Sequence, residues 1–242
     1  MSYYALVPAA GSGSRMSGLY GASTPKQYLP LAGHPMIWHA LVALSHVPAI
    51  ERVFIVLAPD DKDWMQFDMS AIGPKLMVLR CGGATRAITV RNGLGAVSAQ
   101  VDPEDWILVH DAARPCITVN QIETLIASGS AGENSVGGLL AIPLADTLKR
   151  GSANDPAQSD CCYVDATVSR EGFWQAQTPQ MFRFGVLQEA LARAPHVTDE
   201  ASAIELLGLR PRLVESSAMN LKVTYPCDYK LAEMILQSRP TP

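Results

Sequence analysis

The chain has 242 residues, of which 48% are hydrophobic and 17% are charged, and its formal net charge is −4. The apolar fraction excludes an intrinsically disordered chain, and the shares of glycine and proline exclude a collagen-like or low-complexity one. The acidic balance and the lack of any block of Lys or Arg argue against a broad nucleic-acid surface, so an anionic ligand has to meet a local cluster of cations.

The predicted elements alternate between strands and helices from the first residues onward. Near-continuous apolar strands that alternate with helices indicate a parallel sheet covered on both faces. The apolar runs predict strands at Tyr3–Pro8, Val53–Ala58, Leu76–Leu79, Trp106–Val109 and Val136–Ile142. Helical spacing of apolar residues predicts helices at Pro35–His46, Thr85–Val97 and Val119–Ala127.

A polar stretch at residues 150–163 interrupts this alternation. Its flanks, Asp146–Lys149 and Val164–Val168, alternate apolar and polar residues and predict two antiparallel strands joined by a loose turn. An isolated hairpin is marginally stable in water, so we expect this one to pack on something else, such as a second subunit. The remaining chain predicts helices at Val186–Ala192, Glu200–Leu207 and Asp228–Leu236, and a strand at Leu213–Glu215.

The sequence P-A-A-G-S-G-S-R-M after the first strand is the strongest chemical signal. Gly11 and Gly13 let the backbone approach a ligand and turn its N–H groups toward an anion. Arg15 and Lys26, eleven residues apart, place a cation at each end of a loop that can close over a polyphosphate. A dinucleotide fingerprint would need glycine where Met16 stands, and no G-K-[ST] follows to make a P-loop.

Two further motifs follow predicted strands. H-D-A-A-R-P, which begins at His110, brings Asp111 and Arg114 to a carboxyl end of the sheet, where ligands gather in open α/β folds. Asp111 then either binds ribose hydroxyls or a hydrated metal, or it caps the next helix. G-G-A-T-R, residues 82–86, supplies glycine backbone and a hydroxyl that suit the edge of a base.

Later clusters are less specific. They are T-V-S-R from Thr167, W-Q-A-Q-T-P-Q from Trp174, T-D-E at 198–200 and N-L-K-V-T at 220–224. Taken by itself, T-D-E resembles a helix N-cap with acidic residues in the first turn. N-L-K-V-T predicts a strand edge that carries one lysine. The five histidines show no metal-ligand spacing, and no motif for a covalent nucleophile is present.

In this order the motifs resemble the 2-C-methyl-D-erythritol 4-phosphate cytidylyltransferase family, with P-K-Q-Y at Lys26 and A-D-T-L-K at Asp146 completing the set. The resemblance implies an α/β fold with one Rossmann-like domain over residues 1–242, a mostly parallel, helix-covered sheet and a protruding β-arm at about 143–172 for dimerisation. It implies transfer of CMP from CTP to methylerythritol phosphate with release of pyrophosphate, a magnesium ion, and a homodimer.

The resemblance also implies residue roles. The cations that stabilise the reacting phosphate would be Arg15, Lys26 and Lys222. The nucleotide would lie against Ala9, Ala10, Gly11, Gly13, Gly82, Gly83, Thr89, Asp111 and Ala112. The acceptor would meet Thr198, Arg170 from the arm of the partner subunit, Arg114 and Thr178. The ligands of the Mg²⁺ ion are not assigned; CTP phosphates would hold most of it, with Asp111 nearby.

This chain departs from the family pattern in a longer loop between Arg15 and Lys26, an extended arm turn, and Thr89 where serine is common. Transfer of CMP to ribitol 5-phosphate remains an alternative, because the nucleotide motifs would be shared. A nucleotide-binding regulator without catalysis is a second alternative, and a dinucleotide-dependent dehydrogenase is a third, disfavoured by Met16.

The five cysteines are odd in number and form no C-x-x-C pair, so neither a disulfide framework nor a zinc site is expected. No apolar run approaches the ~20 residues of a membrane span, and no basic leader precedes the first strand. We therefore expect a cytoplasmic protein that has neither a membrane nor a nucleic acid as partner.

Overall fold

The computed structural model describes residues 1–11, 24–152, 163–194 and 197–239. Gly13, Arg15 and most of the predicted arm turn lie outside the described residues.

The described strands are β1 (Tyr3–Pro8), β2 (Pro30–Leu31), β3 (His34–Pro35), β4 (Ile50–Val56), β5 (Leu76–Leu79), β6 (Trp106–Val109), β7 (Gly137–Pro143), β8 (Leu148–Gly151), β9 (Val164–Val168), β10 (Trp174–Arg183) and β11 (Arg212–Glu215). The α-helices are α1 (Met36–Ser45), α2 (Arg86–Val97), α3 (Val119–Gly129), α4 (Phe184–Arg193), α5 (Glu200–Leu206) and α6 (Pro226–Gln237). Short 3₁₀ turns lie at Lys26–Tyr28, Trp64–Gln66 and Ser70–Ile72.

Seven of these strands form the central sheet, in the order β11-β7-β10-β6-β1-β4-β5. Neighbouring strands pair in parallel, except that β10 runs antiparallel to both β6 and β7. The inner strands β1 and β6 are almost wholly apolar because both faces of the sheet are buried there. One apolar cluster joins the sheet to α1 and α3, and a second joins it to α2, α4 and α5. The mostly parallel, helix-covered sheet expected from the sequence is confirmed.

Strand prediction succeeded where apolar runs are short and sharply bounded. The bounds of β1, β5 and β6 match the prediction residue for residue. The prediction for β4 was shifted toward the C-terminus. It gave Val53–Ala58, whereas β4 spans Ile50–Val56 and includes the polar residues Glu51 and Arg52.

Two predictions about the C-terminal half were incomplete or wrong. The pattern of apolar residues predicts no strand at β10, although β10 has ten residues and lies between β7 and β6 in the sheet. Asn220–Thr224 is not a strand edge: Asn220 lies in a bend, the next four residues have no regular secondary structure, and Val223 N donates one bond to the carbonyl of Ala113 at 2.8 Å. One such bond is too little for a ladder.

The predicted hairpin is present as β8 and β9, which pair antiparallel in a two-stranded sheet of their own. Most of its residues are exposed. Among the described residues, no helix is both long enough and apolar enough to cross a lipid bilayer.

Candidate active site

The loops that follow β1 and β5 lie against each other at the carboxyl edge of the sheet, and each is hydrogen-bonded to the chain at the end of β4. Ala9 N donates to the carbonyl of Val56 at 2.8 Å, and Gly82 N donates to the carbonyl of Leu57 at 2.8 Å. A Cβ atom added at Gly82 would lie 2.3 Å from Cβ of Ala10 and 2.7 Å from the oxygen of Leu57. Only glycine permits this approach, which exposes the backbone of both loops along one wall of a cleft.

This cleft has a volume of about 240 Å³ and lies beyond the carboxyl ends of β1 and β6. Its walls come from the first glycine loop, the 3₁₀ turn at Lys26, the start of α2, the loop after β6 and the segment before α6. The lining residues are Pro8, Ala9, Ala10, Gly11, Lys26, Gln27, Gly83, Ala84, Thr85, Arg86, Thr89, Asp111, Ala112, Ala113 and Lys222.

Thr89 organises the loop that precedes α2. Its hydroxyl accepts a bond from Gly83 N at 3.0 Å and donates to the carbonyl of Gly83 at 3.2 Å. Thr85 caps α2, because its side chain accepts from Ile88 N at 3.2 Å. The glycine backbone is thereby held in a fixed shape at the cleft wall.

A chain of ion pairs crosses the floor of the cleft. Asp111 accepts from Arg86 Nε on one oxygen at 2.6 Å and from Lys222 Nζ on the other at 2.6 Å. The far edge of the Arg86 guanidinium donates to both carboxylate oxygens of Glu200, at 2.7 and 3.0 Å. Four charged side chains that are distant in sequence therefore share one network.

Two opposing effects act on the carboxyl group of Asp111. Burial by itself raises the pKa of Asp111, but the charges of Arg86 and Lys222 outweigh burial and hold that pKa well below its ordinary value. Burial likewise lowers the pKa of Arg86, and the carboxylates of Glu200 and Asp111 more than reverse this effect. Asp111 is therefore an anion, and Arg86 a cation, throughout the neutral range.

Lys26 is held close to the segment that carries Lys222. Lys26 Nζ donates to the carbonyl of Val223 at 2.7 Å. The neighbouring Gln27 is buried and donates its amide to the carbonyl of Ala9 at 2.9 Å. These contacts bring two ammonium groups and the first glycine loop to one side of the cleft.

Beneath Asp111 lies a buried polar layer. His110 is fully buried; its Nε2 lies 3.1 Å from the carbonyl of Arg114, and its Nδ1 lies 3.2 Å from the hydroxyl of Thr178. A carbonyl only accepts, which assigns the proton to Nε2 and makes Nδ1 the acceptor of the Thr178 hydroxyl proton. The Thr178 oxygen is then free to accept from Asp111 N, at 3.0 Å. This layer fixes the backbone of Asp111.

The sequence profile of the 2-C-methyl-D-erythritol 4-phosphate cytidylyltransferase family matches residues 3–238. The chain belongs to this family. The protein of that name from Dechloromonas aromatica is 54% identical over 237 residues, which is 98% of each chain. Its counterpart from Aromatoleum aromaticum is 55% identical over 237 residues, 98% of this chain and 96% of the relative.

Solved structures agree with this assignment. The crystal structure of a 4-diphosphocytidyl-2C-methyl-D-erythritol synthase superposes with a TM-score of 0.80 at 37% identity, covering 97% of this chain and 99% of the other. The Francisella tularensis 2-C-methyl-D-erythritol 4-phosphate cytidylyltransferase superposes with a TM-score of 0.77 at 30% identity, covering 97% and 100%. The family expected from the motifs is confirmed, and with it the activity of the family: CTP and methylerythritol phosphate give the cytidylyl product and pyrophosphate.

Most of the nucleotide-site residues expected from the family come together in the cleft. Those that line it are Ala9, Ala10, Gly11, Lys26, Gly83, Thr89, Asp111, Ala112 and Lys222. Gly82 lies directly behind the wall, against Ala10. Arg114 and Thr178 are buried in the layer below. Gly13 and Arg15 lie outside the described residues.

None of the four residues expected to bind the acceptor lines the cleft of its own chain: Arg114 and Thr178 are buried below it, and the other two are exposed. Arg170 is exposed and follows β9 of the hairpin. Thr198 is exposed and precedes Asp199, the N-cap of α5, whose side chain accepts from Ser202 N at 3.1 Å. The helix-capping interpretation of this T-D-E segment is therefore correct for Asp199.

Sequence reasoning missed Arg86 and Glu200. Arg86 ends the motif G-G-A-T-R and Glu200 ends the motif T-D-E, so both positions had been noted, but the contacts that Arg86 makes with Glu200 and Asp111 had not. Asp111 is 25 positions away and Glu200 is 114 positions away, and no local pattern joins them.

Family enzymes generally use a divalent metal. In the described parts of the chain, no group of three or more His, Cys, Asp or Glu side chains is placed to hold a metal ion. Asp111 is the carboxylate among the cleft-lining residues. Mg²⁺ is commonly bound by one or two carboxylates together with substrate phosphates, so this donor set fits an ion that arrives with the nucleotide.

Proposed function

We propose that this cleft is where the chain transfers CMP from CTP to 2-C-methyl-D-erythritol 4-phosphate. The observation that carries the proposal is the meeting of two glycine loops, a buried carboxylate and two ammonium groups at one edge of the sheet. Backbone donors and a hydroxyl suit a base, a carboxylate suits ribose hydroxyls, and ammonium groups suit a triphosphate.

The nucleotide lies along the glycine loops in this proposal. The backbone of Ala9–Gly11 and Gly83 faces the cytidine, and Thr89 keeps the Gly83 backbone in position. Asp111 binds the ribose through a carboxylate oxygen, because each of its oxygens retains a lone pair beyond the ion pair described above. Thr178 supports the backbone of Asp111 from below. By family resemblance Thr178 and Arg114 also remain proposed contacts of the acceptor.

The reaction needs no general base. The acceptor is a phosphate monoester that is already an anion near neutrality. One of its oxygens attacks the α-phosphorus of CTP, the bond from that phosphorus to the bridging oxygen breaks, and pyrophosphate leaves with the electron pair. The obstacle is the repulsion between two anions and the charge that builds on the α-phosphate oxygens.

The chain meets this obstacle with positioning and with cations. Lys26 and Lys222 are the described cations on the phosphate side of the cleft, and Arg15 is the third by family resemblance. Removal of one such donor typically costs about 10²–10³ in turnover.

A magnesium ion fits this scheme when CTP supplies most of its ligands and Asp111 lies nearby. The ion, when bound, reduces the negative charge of the triphosphate. A chelator should then abolish turnover, added Mg²⁺ should restore it, and the fold should stay unchanged by circular dichroism.

We also propose that residues 1–242 form a single domain with a dimerisation arm at about 143–172. The hairpin β8–β9 supports this, because its two strands pair only with each other and are mostly exposed. Arg170 of each subunit would then reach the acceptor site of the partner, next to Thr198.

Hybrid dimers test this arrangement. A mixture of Arg170→Ala and Lys26→Ala proteins should regain part of the activity, because one site in each hybrid keeps both residues. Mass spectrometry of differently tagged subunits shows whether hybrid dimers form. If they form but stay inactive, each site is built within one chain.

A cytoplasmic location completes the proposal. The described cysteines Cys81, Cys116 and Cys227 are free thiols, as expected in a reducing compartment.

The activity is tested by pyrophosphate release from CTP with each acceptor in turn. Methylerythritol phosphate should support turnover, and preference for ribitol 5-phosphate would assign the alternative acceptor. No release with either acceptor would favour the non-catalytic regulator. Lys26→Ala should lower kcat by about 10²–10³-fold with a smaller effect on CTP binding, whereas Lys230→Ala, which removes an exposed lysine of α6, should change neither.

A further inference from the structure

We propose that Glu200 is a positioning residue of the nucleotide site, because it sets through Arg86 the direction in which the Asp111 carboxylate points. The inference deepens the function proposed above and rests on the role given there to Asp111.

The contact between Glu200 and Arg86 is the strong, bidentate kind. Arg86 Nη1 and Nη2 lie 2.7 and 3.0 Å from the two carboxylate oxygens of Glu200. The Glu200 side chain is 1% exposed, and that of Arg86 is 28% exposed. A buried carboxylate held by two parallel N–H bonds has a fixed geometry, and it fixes the plane of the guanidinium in turn.

The consequence for Asp111 follows from the donors that Arg86 has left. With Nη1 and Nη2 facing Glu200, the guanidinium offers Nε to Asp111, and this single bond is 2.6 Å long. Asp111 therefore keeps its second oxygen on the side of Lys222. Without the charge of Glu200, the guanidinium is free to rotate and take both oxygens of Asp111, which would turn the carboxylate away from Lys222 and the ribose site.

Glu200 is itself anchored. It is the first residue of α5, and Gln180 of β10 ties that end of the helix down. Gln180 Nε2 donates to Asp199 at 2.8 Å, and Ala201 N donates to Gln180 Oε1 at 2.7 Å. Gln180 thus holds the chain on either side of Glu200, and the Glu200 carboxylate passes this position on to Arg86 and Asp111.

The experiment measures the Kd of CTP by calorimetry and the steady-state constants for three variants. Glu200→Gln keeps the shape and removes the charge. Asp111→Asn is the reference for loss of the carboxylate, and Glu205→Gln makes the same chemical change at an exposed site of α5. We expect Glu200→Gln to raise the Kd of CTP about tenfold, with Asp111→Asn raising it at least as much and Glu205→Gln leaving it unchanged.

A double-mutant cycle separates positioning from general damage. When Arg86 is replaced by Gln, the further change Glu200→Gln should alter the Kd by less than about twofold, because its effect passes through Arg86. A merely structural role would lower the fraction of active protein, and hence kcat, while the Kd stayed constant. Arg86→Lys keeps a cation but lacks the planar fork that holds both oxygens of Glu200 while presenting Nε to Asp111, so it should show the same rise in Kd even if Glu200→Gln does not fold.

The outcomes are distinguishable. If Asp111→Asn weakens CTP binding but Glu200→Gln leaves the Kd of CTP unchanged, the inference is overturned. Where Glu200→Gln does not fold, an unchanged Kd in Arg86→Lys overturns it in the same way. Additive effects in the cycle overturn it as well. If Asp111→Asn leaves CTP binding and turnover unchanged, it is the proposed nucleotide site that fails.

Discussion

The buried ring of His110 makes the stability of this protein depend on pH in a defined direction. Burial lowers the pKa of His110 to about 4 from the ordinary value of 6.5. Between these two values the unfolded chain binds a proton that the folded chain does not, so the free energy of unfolding falls as the pH drops from 6.5 toward 4. For this fully buried group, the change from pH 7.5 to pH 5 amounts to about 2 kcal/mol.

The assay is urea unfolding followed by circular dichroism at several pH values, for the natural protein and for His110→Gln. The glutamine amide still offers a donor to the carbonyl of Arg114, but it does not titrate. The natural protein should lose about 2 kcal/mol more than the variant between pH 7.5 and pH 5. Asp111 is ionised across this range and does not contribute to the difference.

His46→Gln is the matched control, because it makes the same substitution at an exposed position. Equal losses of unfolding free energy in the natural protein and His110→Gln would refute the assignment of a buried neutral imidazole.

Two sites near the glycine loops give further predictions. Gly82→Ala would place a Cβ 2.3 Å from Ala10, so we expect a loss of about 1–3 kcal/mol of stability and at least tenfold weaker CTP binding by calorimetry. Gly95→Ala in α2 meets no atom within 4 Å and should raise stability by up to about 1 kcal/mol; a loss there would contradict the reasoning. Thr89→Ser keeps the hydroxyl and should keep CTP binding. Thr89→Val leaves the Gly83 amide unpaired and should lower the free energy of unfolding by about 1–3 kcal/mol in urea. Equal stability of the two variants would contradict the role given to this hydroxyl.

The sequence predicted those parts of the fold that local chemistry decides. The strands β1 and β6 are short runs of apolar residues with sharp ends, and they are buried on both faces. The glycine loops that follow strands also pointed correctly to one edge of the sheet, because parallel strands bring their carboxyl ends together.

β10 escaped prediction for a physical reason. Its N-terminal half is largely polar and Pro179 follows at its middle, and both features argue against a central strand. The structure accommodates the proline at an irregularity: pairing with β7 breaks off after Ala176 and resumes at Gln180. A bulge tolerates the missing N–H group, and it also places Thr178 under Asp111.

The ion pairs of the cleft floor were beyond sequence reasoning. Each acidic and basic residue could equally have been a solvated surface charge. Only the packing of α5 against the sheet brings the carboxylate of Glu200 to the far side of Arg86.

The floor network has a consequence for the way CTP arrives. Asp111 and Glu200 balance Arg86 and Lys222, so this quartet is electroneutral, and the chain as a whole carries a formal charge of −4. The quartet therefore adds no net charge that would steer a free triphosphate, and Lys26 is the further cation among the described cleft-lining residues. CTP that already carries Mg²⁺ should therefore bind more readily than free CTP. The rate at which CTP associates with the protein should respond only weakly to ionic strength.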